Sequence, residues 1–129
     1  MIVADTDVLI DALNGRGPSA ERIKLELGAG ALATTAITVF ELRSGAKSTT
    51  ASEQIETLLA GLTILPFDEK AADRAAAARR VLEVGGSPIG MADYLIAGVC
   101  LAHSAILLTR NRKHFERVPG LVLGWEPGE

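Results

Sequence analysis

The feature that most constrains the fold is a repeated alternation of short apolar runs with longer segments of helical periodicity. Each apolar run is only three or four residues long and lacks the polar alternation of a strand with one face in water. Continuous apolar runs are typical of strands that are buried on both faces of a parallel sheet. The sequence predicts five such strands, at residues 2–4, 31–34, 63–65, 105–108 and 121–123.

Helical patterns lie between these runs. Asp68 is a suitable N-cap, and Thr50 and Glu53 have the spacing of a capping box. Gly17-Pro18 is a suitable helix start, since proline is tolerated in the first turn. The predicted helices cover residues 8–13, 17–28, 37–46, 50–62, 68–84, 91–101 and 112–117. Strands and helices in alternation indicate an α/β fold, a three-layer α/β/α sandwich with a short parallel sheet.

Length and composition bound the class of protein. The 129 residues suit a single domain over 1–129, and 48% apolar with 22% charged residues is ordinary for a globular chain. The net charge of −3 argues against a protein that coats nucleic acid by bulk charge, but it leaves room for a local basic patch. Without a visible signal peptide or an apolar stretch of roughly 20 residues, we expect a cytoplasmic protein with no membrane contact.

Three acidic residues occur where a parallel sheet could bring them together. Ligands of such sheets bind beyond the carboxyl ends of the strands, and Asp5 directly follows the first predicted strand. Glu41 lies within an apolar helical stretch, and Asp93 lies in the first turn of another helix. Each also has an ordinary explanation alone: Asp5 as an N-cap, Glu41 as a solvated surface residue, Asp93 as a partner of the helix dipole.

Taken together, the acids indicate a cation site. Carboxylates that lie close together repel one another unless they are protonated or neutralised. One cysteine, two histidines and no HExxH motif argue against zinc, and oxygen ligands favour Mg²⁺ or Mn²⁺. Such ions activate water for attack on phosphate esters. The sequence contains neither a GxSxG motif nor a phosphate-binding P-loop.

A basic cluster follows the fourth predicted strand. It is either an ordinary solvated helix face or a phosphate clamp beside the acidic site. Asn111 lies within it and could offer a hydrogen bond or a neutral oxygen ligand. The basic residues are Arg110, Arg112, Lys113, His114 and Arg117.

Four segments, in order along nearly the whole chain, resemble the PIN-domain ribonucleases, and specifically the VapC toxins of bacterial toxin–antitoxin pairs. The acid-bearing segments are VADTDVLID at 3–11, TVFELRSGA at 38–46 and PIGMADYLIAG at 88–98. The closing segment is TRNRKHFERVPGL at 109–121. One such segment is a weak signal, but four at this spacing are specific.

The resemblance implies a magnesium-dependent endoribonuclease in which Asp5, Glu41 and Asp93 hold the metal, with Mn²⁺ as an alternative ion. Asn111 is included among the catalytic residues, but it departs from the family pattern, because many family members carry a fourth acid in this segment. His114 also stands where relatives often have an acid, and we do not assign it to the metal.

The remaining site residues support the acids or the substrate. Thr6 and Thr109 are expected to support the acids by hydrogen bonds. Arg110, Arg112 and Lys113 are expected to bind RNA through its phosphates.

The resemblance also implies partners. VapC-like proteins are usually bound by a small antitoxin, and they commonly form homodimers. We expect the apolar surfaces of helices 37–46 and 55–62 to serve one of these contacts.

Two other functions remain open from the sequence. The Asn111 departure motivates a catalytically weak PIN-like module that binds RNA or a partner. Asp5-Thr6-Asp7-Val8 also fits the opening of a haloacid-dehalogenase-like phosphatase, with Asp5 as nucleophile and Asp7 as acid and base. The downstream acidic pair of such a phosphatase is missing.

Overall fold

The computed structural model describes residues 1–17 and 20–124. In this part of the chain, five strands form one parallel sheet in the order β3-β2-β1-β4-β5. The strands are β1 (Ile2–Ala4), β2 (Leu32–Thr35), β3 (Thr63–Leu65), β4 (Ile106–Leu108) and β5 (Val122–Leu123). All five lie where the apolar runs predict them, with bounds that agree to within one residue.

Helices connect the strands as the periodicity predicts. Asp68 caps its helix by accepting the backbone N–H of Ala71, while Pro18 lies outside the described residues. No described helix combines the length and hydropathy needed to span a membrane. The helices are α1 (Thr6–Leu13), α2 (Ala20–Gly28), α3 (Ala36–Gly45), α4 (Thr49–Ala60), α5 (Glu69–Val84), α6 (Met91–Ala102) and α7 (Arg112–Phe115).

The capping box expected at Thr50 and Glu53 is wrong. The N-cap of helix α4 is Ser48, two residues before the expected Thr50. The Ser48 hydroxyl accepts the N–H of Ala51 at 3.0 Å. Ser48, Thr49 and Thr50 are all residues that can cap a helix, so spacing alone cannot choose among them.

The sheet is covered on both faces, which confirms the three-layer sandwich. Val3 and Leu107 point into a core shared with α5 and α6. Their neighbours Ala4 and Leu108 point into a second core, shared with α1 to α4. Successive side chains of a strand face opposite sides, so the central strands β1 and β4 contribute to both cores, and their successive residues are apolar.

One expected contact surface is largely internal. The large apolar side chains of residues 55–62 pack into the core and expose at most 9% of their area, so they do not form an open apolar face. On α3, by contrast, the Phe40 side chain is 70% exposed. The buried residues of this segment are Ile55, Leu58, Leu59 and Leu62.

The strand order creates a crevice between β1 and β4. From β1 the chain adds β2 and β3 on one side, then crosses to add β4 and β5 on the other. Connecting helices leave such a sheet in opposite directions at this switch point, and ligands bind there beyond the strand ends. Asp5 and Thr109 are the first residues after β1 and β4, so both lie at the crevice.

Helices α5 and α6 approach closely at Gly98. Ala71 and Ala75 of α5 face this glycine, and a Cβ added at Gly98 would lie 2.5 Å from the Ala71 carbonyl oxygen. Such a separation is far below ordinary contact, and the obstacle is backbone. The small residues of both helices therefore set how closely α6 packs.

We expect Gly98→Ala to lower the free energy of unfolding by about 1–3 kcal/mol, because overpacked cores must shift their backbones. Urea denaturation followed by circular dichroism measures this change. Gly45→Ala is the matched control, since a Cβ there meets nothing within 4 Å. Equal stabilities for the two variants would contradict the close approach.

Candidate active site

Asp5 is held at the centre of the strand edge by two different donors. Its Oδ1 accepts the Thr6 N–H at 2.8 Å, and its Oδ2 accepts the Thr109 hydroxyl at 2.7 Å. The residue is the N-cap of α1 and only 6% exposed. The capping explanation is therefore correct, and the second carboxylate oxygen remains available for a contact at the strand edge.

Burial of this carboxylate opposes its ionisation. Removal from water raises the pKa of Asp5 from 3.8 to about 7, against the lowering effect of the Thr109 and Thr6 hydrogen bonds. The negative charges of Asp7 and Asp93 raise it further. Burial also raises the pKa of Asp7, although the N–H of Arg110 partly offsets this. Asp5 and Asp93 thus share one electrostatic site, although they are far apart in sequence.

Glu41 joins the site through Thr6. The Thr6 hydroxyl donates to Glu41 Oε1 at 2.6 Å and lies 3.1 Å from the hydroxyl of Thr38. Because Glu41 is half-buried and bound in this way, it is not an ordinary solvated surface residue. Thr38 is fully buried, and sequence reasoning missed it. A threonine inside an apolar helical stretch was the available signal.

Asp93 is held by the segment that follows β4. The Asn111 side-chain amide donates to Asp93 Oδ2 at 3.2 Å, and His114 Nδ1 lies 3.3 Å from the same oxygen. Asn111 Nδ2 also lies 2.9 Å from His114 Nδ1. These three side chains form a compact cluster, and sequence reasoning left its histidine unassigned.

Thr109 links this cluster to Asp5. Its hydroxyl accepts the N–H of Asn111 at 3.0 Å while it donates to Asp5. One hydroxyl can do both, since it carries one proton and two lone pairs. Asn111 thus contacts Thr109 through its backbone N–H and Asp93 through its side-chain amide, so this one residue lies between the two acids.

The three basic residues expected to bind RNA differ in their surroundings. Arg110 Nε pairs with Asp11 at 2.9 Å, with 55% of the arginine side chain still exposed. Arg112 Nη1 donates to the carbonyl oxygen of Gly124 at 3.0 Å, which ties it to the end of β5. Lys113 is exposed on α7. The segment lies at the same strand edge as Asp5, because the Arg110 N–H contacts Asp7 at 3.2 Å.

The oxygen donors fit a hard divalent cation that keeps part of its water shell. Among residues 1–17 and 20–124, no three Asp, Glu, His or Cys side chains are grouped closely enough to hold one ion by themselves. Mg²⁺ needs fewer direct ligands, because it usually retains several waters and binds one or two carboxylates. A buried carboxylate whose pKa is about 7 is also a group that a cation would stabilise in its charged form.

With this geometry in view, comparison with known proteins identifies the class. The model of the PIN domain family matches residues 2–121, so the chain belongs to the PIN-domain family. Within that family it groups with the VapC proteins. It is 31% identical over 121 residues to the tRNA(fMet)-specific endonuclease VapC of Shigella flexneri, covering 91% of each protein. It is 33% identical over 129 residues to ribonuclease VapC2 of Rickettsia felis, covering 95% of this chain and 96% of that one.

Solved structures agree. The fold matches VapBC2 from Rickettsia felis bound to a DNA fragment from their promoter with a TM-score of 0.86. That match has 30% identity and covers 98% of this chain and 100% of the other. VapBC-1 from nontypeable Haemophilus influenzae matches with a TM-score of 0.81 and 28% identity, over 96% and 97% of the two chains. The family resemblance of the four sequence segments is confirmed.

The phosphatase alternative finds no support. Membership of the PIN family accounts for the whole chain from residue 2 to 121. The Asp7 carboxylate, which would act as acid and base, instead accepts the N–H of Arg110.

We expect the pH dependence of stability to reveal the buried carboxyl of Asp5. In the unfolded chain this carboxyl ionises near 3.8, whereas in the metal-free folded chain it keeps its proton to about 7. Raising the pH through this window therefore stabilises only the unfolded state, and the Asp5 contribution is fully present below about pH 4 and lost above about pH 7. The shift corresponds to about 4 kcal/mol as an upper bound.

Urea unfolding at a series of pH values, with a chelator present, measures this contribution as the difference between wild type and Asp5→Asn. Asparagine keeps the helix cap but cannot ionise. The stability of wild type relative to the variant is expected to fall between about pH 4 and pH 7. Parallel pH profiles for the two proteins would contradict the buried, protonated carboxyl.

Proposed function

We propose that this protein is a magnesium-dependent endoribonuclease of the VapC type, the toxin of a toxin–antitoxin pair. The observation that carries the proposal is the buried Asp5 carboxylate at the β1–β4 crevice, electrostatically coupled to Asp93. The relatives named as VapC endonuclease and ribonuclease support RNA as the substrate.

Asp5, Glu41 and Asp93 are the proposed metal residues. Asp5 and Asp93 would hold the ion, directly or through water, and Glu41 would complete the acidic pocket. Mn²⁺ suits the same oxygen donors and could replace Mg²⁺. Asn111 adds no charge to this set, so it acts by holding Asp93 Oδ2.

The chemistry is hydrolysis of an RNA phosphodiester. When bound, the divalent ion supplies a water of lowered pKa and offsets negative charge on the phosphate. A carboxylate of the site accepts the proton of the attacking water. Thr6 and Thr109 keep their carboxylate partners in place through hydrogen bonds of 2.6 and 2.7 Å. Those short contacts restrict rotation of the acids, as outer partners of metal ligands do.

A cognate antitoxin is the proposed protein partner. The solved structures that this chain resembles include VapBC complexes with both proteins present. The exposed Phe40 side chain on α3 offers apolar area to an antitoxin or to a second copy of the chain. We place the protein in the cytoplasm, where cellular RNA is available to it.

We expect the purified full chain to cleave RNA in Mg²⁺ and to stop cleaving when the ion is chelated. Initiator tRNA is the first substrate to test, since the Shigella flexneri relative is named for it. Asp93→Asn and Asp5→Asn are each expected to reduce the cleavage rate at least about a hundredfold, because even outer partners of metal ligands cost about 10- to 100-fold. Gel analysis of end-labelled RNA measures the rate and the cleavage site.

Asp68→Asn is the matched control. It removes one carboxylate from the described part of the chain but keeps a residue that caps α5, so cleavage should be unchanged. RNA binding without Mg²⁺-dependent cleavage would reject the enzyme and favour a PIN-like binding module. Full activity of Asp5→Asn would reject the assigned metal residues.

For RNA binding, we expect Lys113→Ala to weaken affinity uniformly across sequences. Loss of one phosphate contact should reduce the slope of log affinity against log salt by about one. Fluorescence anisotropy with labelled tRNA at several salt concentrations measures that slope. Lys47 is an exposed lysine just after the C-terminal end of α3, so Lys47→Ala should leave the slope unchanged. An unchanged slope for Lys113→Ala would remove it from the RNA-binding residues.

A further inference from the structure

The contacts among Asp93, Asn111 and His114 favour one position for the proton on the His114 ring. Asn111 Nδ2 contacts Asp93 Oδ2 at 3.2 Å and His114 Nδ1 at 2.9 Å. A carboxylate only accepts hydrogen bonds, so the NH₂ group of Asn111, and not its oxygen, must face Asp93. The orientation of this amide is therefore set by the acid beside it.

The amide orientation in turn sets the imidazole. An NH₂ group only donates, so the 2.9 Å contact requires that Nδ1 of His114 accept. In the competing arrangement, Nδ1–H donates to Asp93 Oδ2 over the longer distance of 3.3 Å. The N–H groups of His114 Nδ1 and Asn111 Nδ2 would then face each other at 2.9 Å. The shorter contact favours acceptance, in which the Nδ1 lone pair lies 3.3 Å from Asp93 Oδ2. A neutral imidazole with an accepting Nδ1 carries its proton on Nε2.

The protonated nitrogen remains available. The His114 side chain is 43% exposed. Within residues 1–17 and 20–124, its Nε2 has no hydrogen-bond partner, and it is not among the buried polar atoms that lack one. The ring nevertheless touches Asp93, one of the proposed metal residues. His114 therefore presents an N–H donor to solvent at the rim of the acidic pocket.

We propose that His114 is a substrate-binding residue whose Nε2–H donates to a phosphate oxygen of the RNA. The inference rests on the proposed ribonuclease function and assigns a substrate contact to that site. An RNA phosphate that approaches Asp93 would pass the same rim, where the nearby carboxylates repel it. The imidazole supplies a donor there, and Asn111 acts as the positioning residue that keeps this donor pointing outward.

The protonation pattern can be tested without any activity. Long-range proton–nitrogen NMR spectra of the full chain distinguish the two neutral forms, and His103 is the only other histidine. In the neutral form of the ring, we expect His114 to carry its proton on Nε2 alone. In Asn111→Asp the new carboxylate can only accept, so Nδ1 should gain a proton. A proton on Nδ1 in wild type, or none there in Asn111→Asp, would overturn the proposal.

The substrate contact is tested with two replacements that separate the ring nitrogens. In His114→Asn the amide oxygen can still accept from Asn111 near the Nδ1 position, but the outer donor is lost. In His114→Gln an amide N–H lies near the Nε2 position. With initiator tRNA in Mg²⁺, we expect kcat/KM to fall about tenfold or more for His114→Asn and clearly less for His114→Gln. Mg²⁺ affinity, measured by calorimetry, should be unchanged in His114→Asn.

His103→Asn is the matched control, since His103 caps the end of α6 just before β4, at the opposite edge of the sheet. It should leave kcat/KM unchanged. Equal kcat/KM for wild type and His114→Asn would overturn the proposal while leaving the ribonuclease assignment intact. Absence of cleavage by wild type would instead reject the proposed function, and with it the RNA contact.

Discussion

The interaction on which the site depends is the hydrogen bond between the Thr109 hydroxyl and the buried carboxylate of Asp5. It joins the ends of β1 and β4, the two strands that flank the crevice of the sheet. The same hydroxyl accepts the N–H of Asn111, so the position of Asp5 and that of the following loop depend on each other. Because Asp93 is held by that loop, the hydrogen bond also fixes the distance between two like charges.

This arrangement has an energetic cost that indicates its purpose. A carboxylate with a pKa near 7 is destabilised in its charged form at neutral pH, chiefly by burial and further by Asp7 and Asp93. A protein selected only for stability could use asparagine as the helix cap with little loss. This cost is consistent with the proposal that a cation completes the site: hydroxyl and amide groups orient the acids, and the ion would offset their charge. Strain of this kind is typical of active sites.

Much of the fold follows directly from the sequence, for reasons that particular elements illustrate. Val3 and Ala4 must both be apolar because they face different cores, and this requirement makes the buried strands visible as uninterrupted apolar runs. Asp68 is recognisable as a cap because it directly precedes a long helical pattern. The predicted start of α4 was wrong because Ser48, Thr49 and Thr50 can all cap a helix through a side-chain hydroxyl. Which hydroxyl reaches a free N–H depends on the chain path from α3, which no local pattern encodes.

The sequence by itself determined that the chain forms an α/β sandwich and grouped Asp5, Glu41 and Asp93 as a candidate cation site. These conclusions rest on periodicity and on residue type, which are local properties. Only the tertiary structure decided how the acids are held: Glu41 through Thr6, Asp5 through Thr109, and Asp93 through Asn111. Each of these contacts joins elements far apart in the chain. The hydrogen-bonding direction of an amide or an imidazole is set by the partner that folding brings to it, so the sequence alone does not contain it.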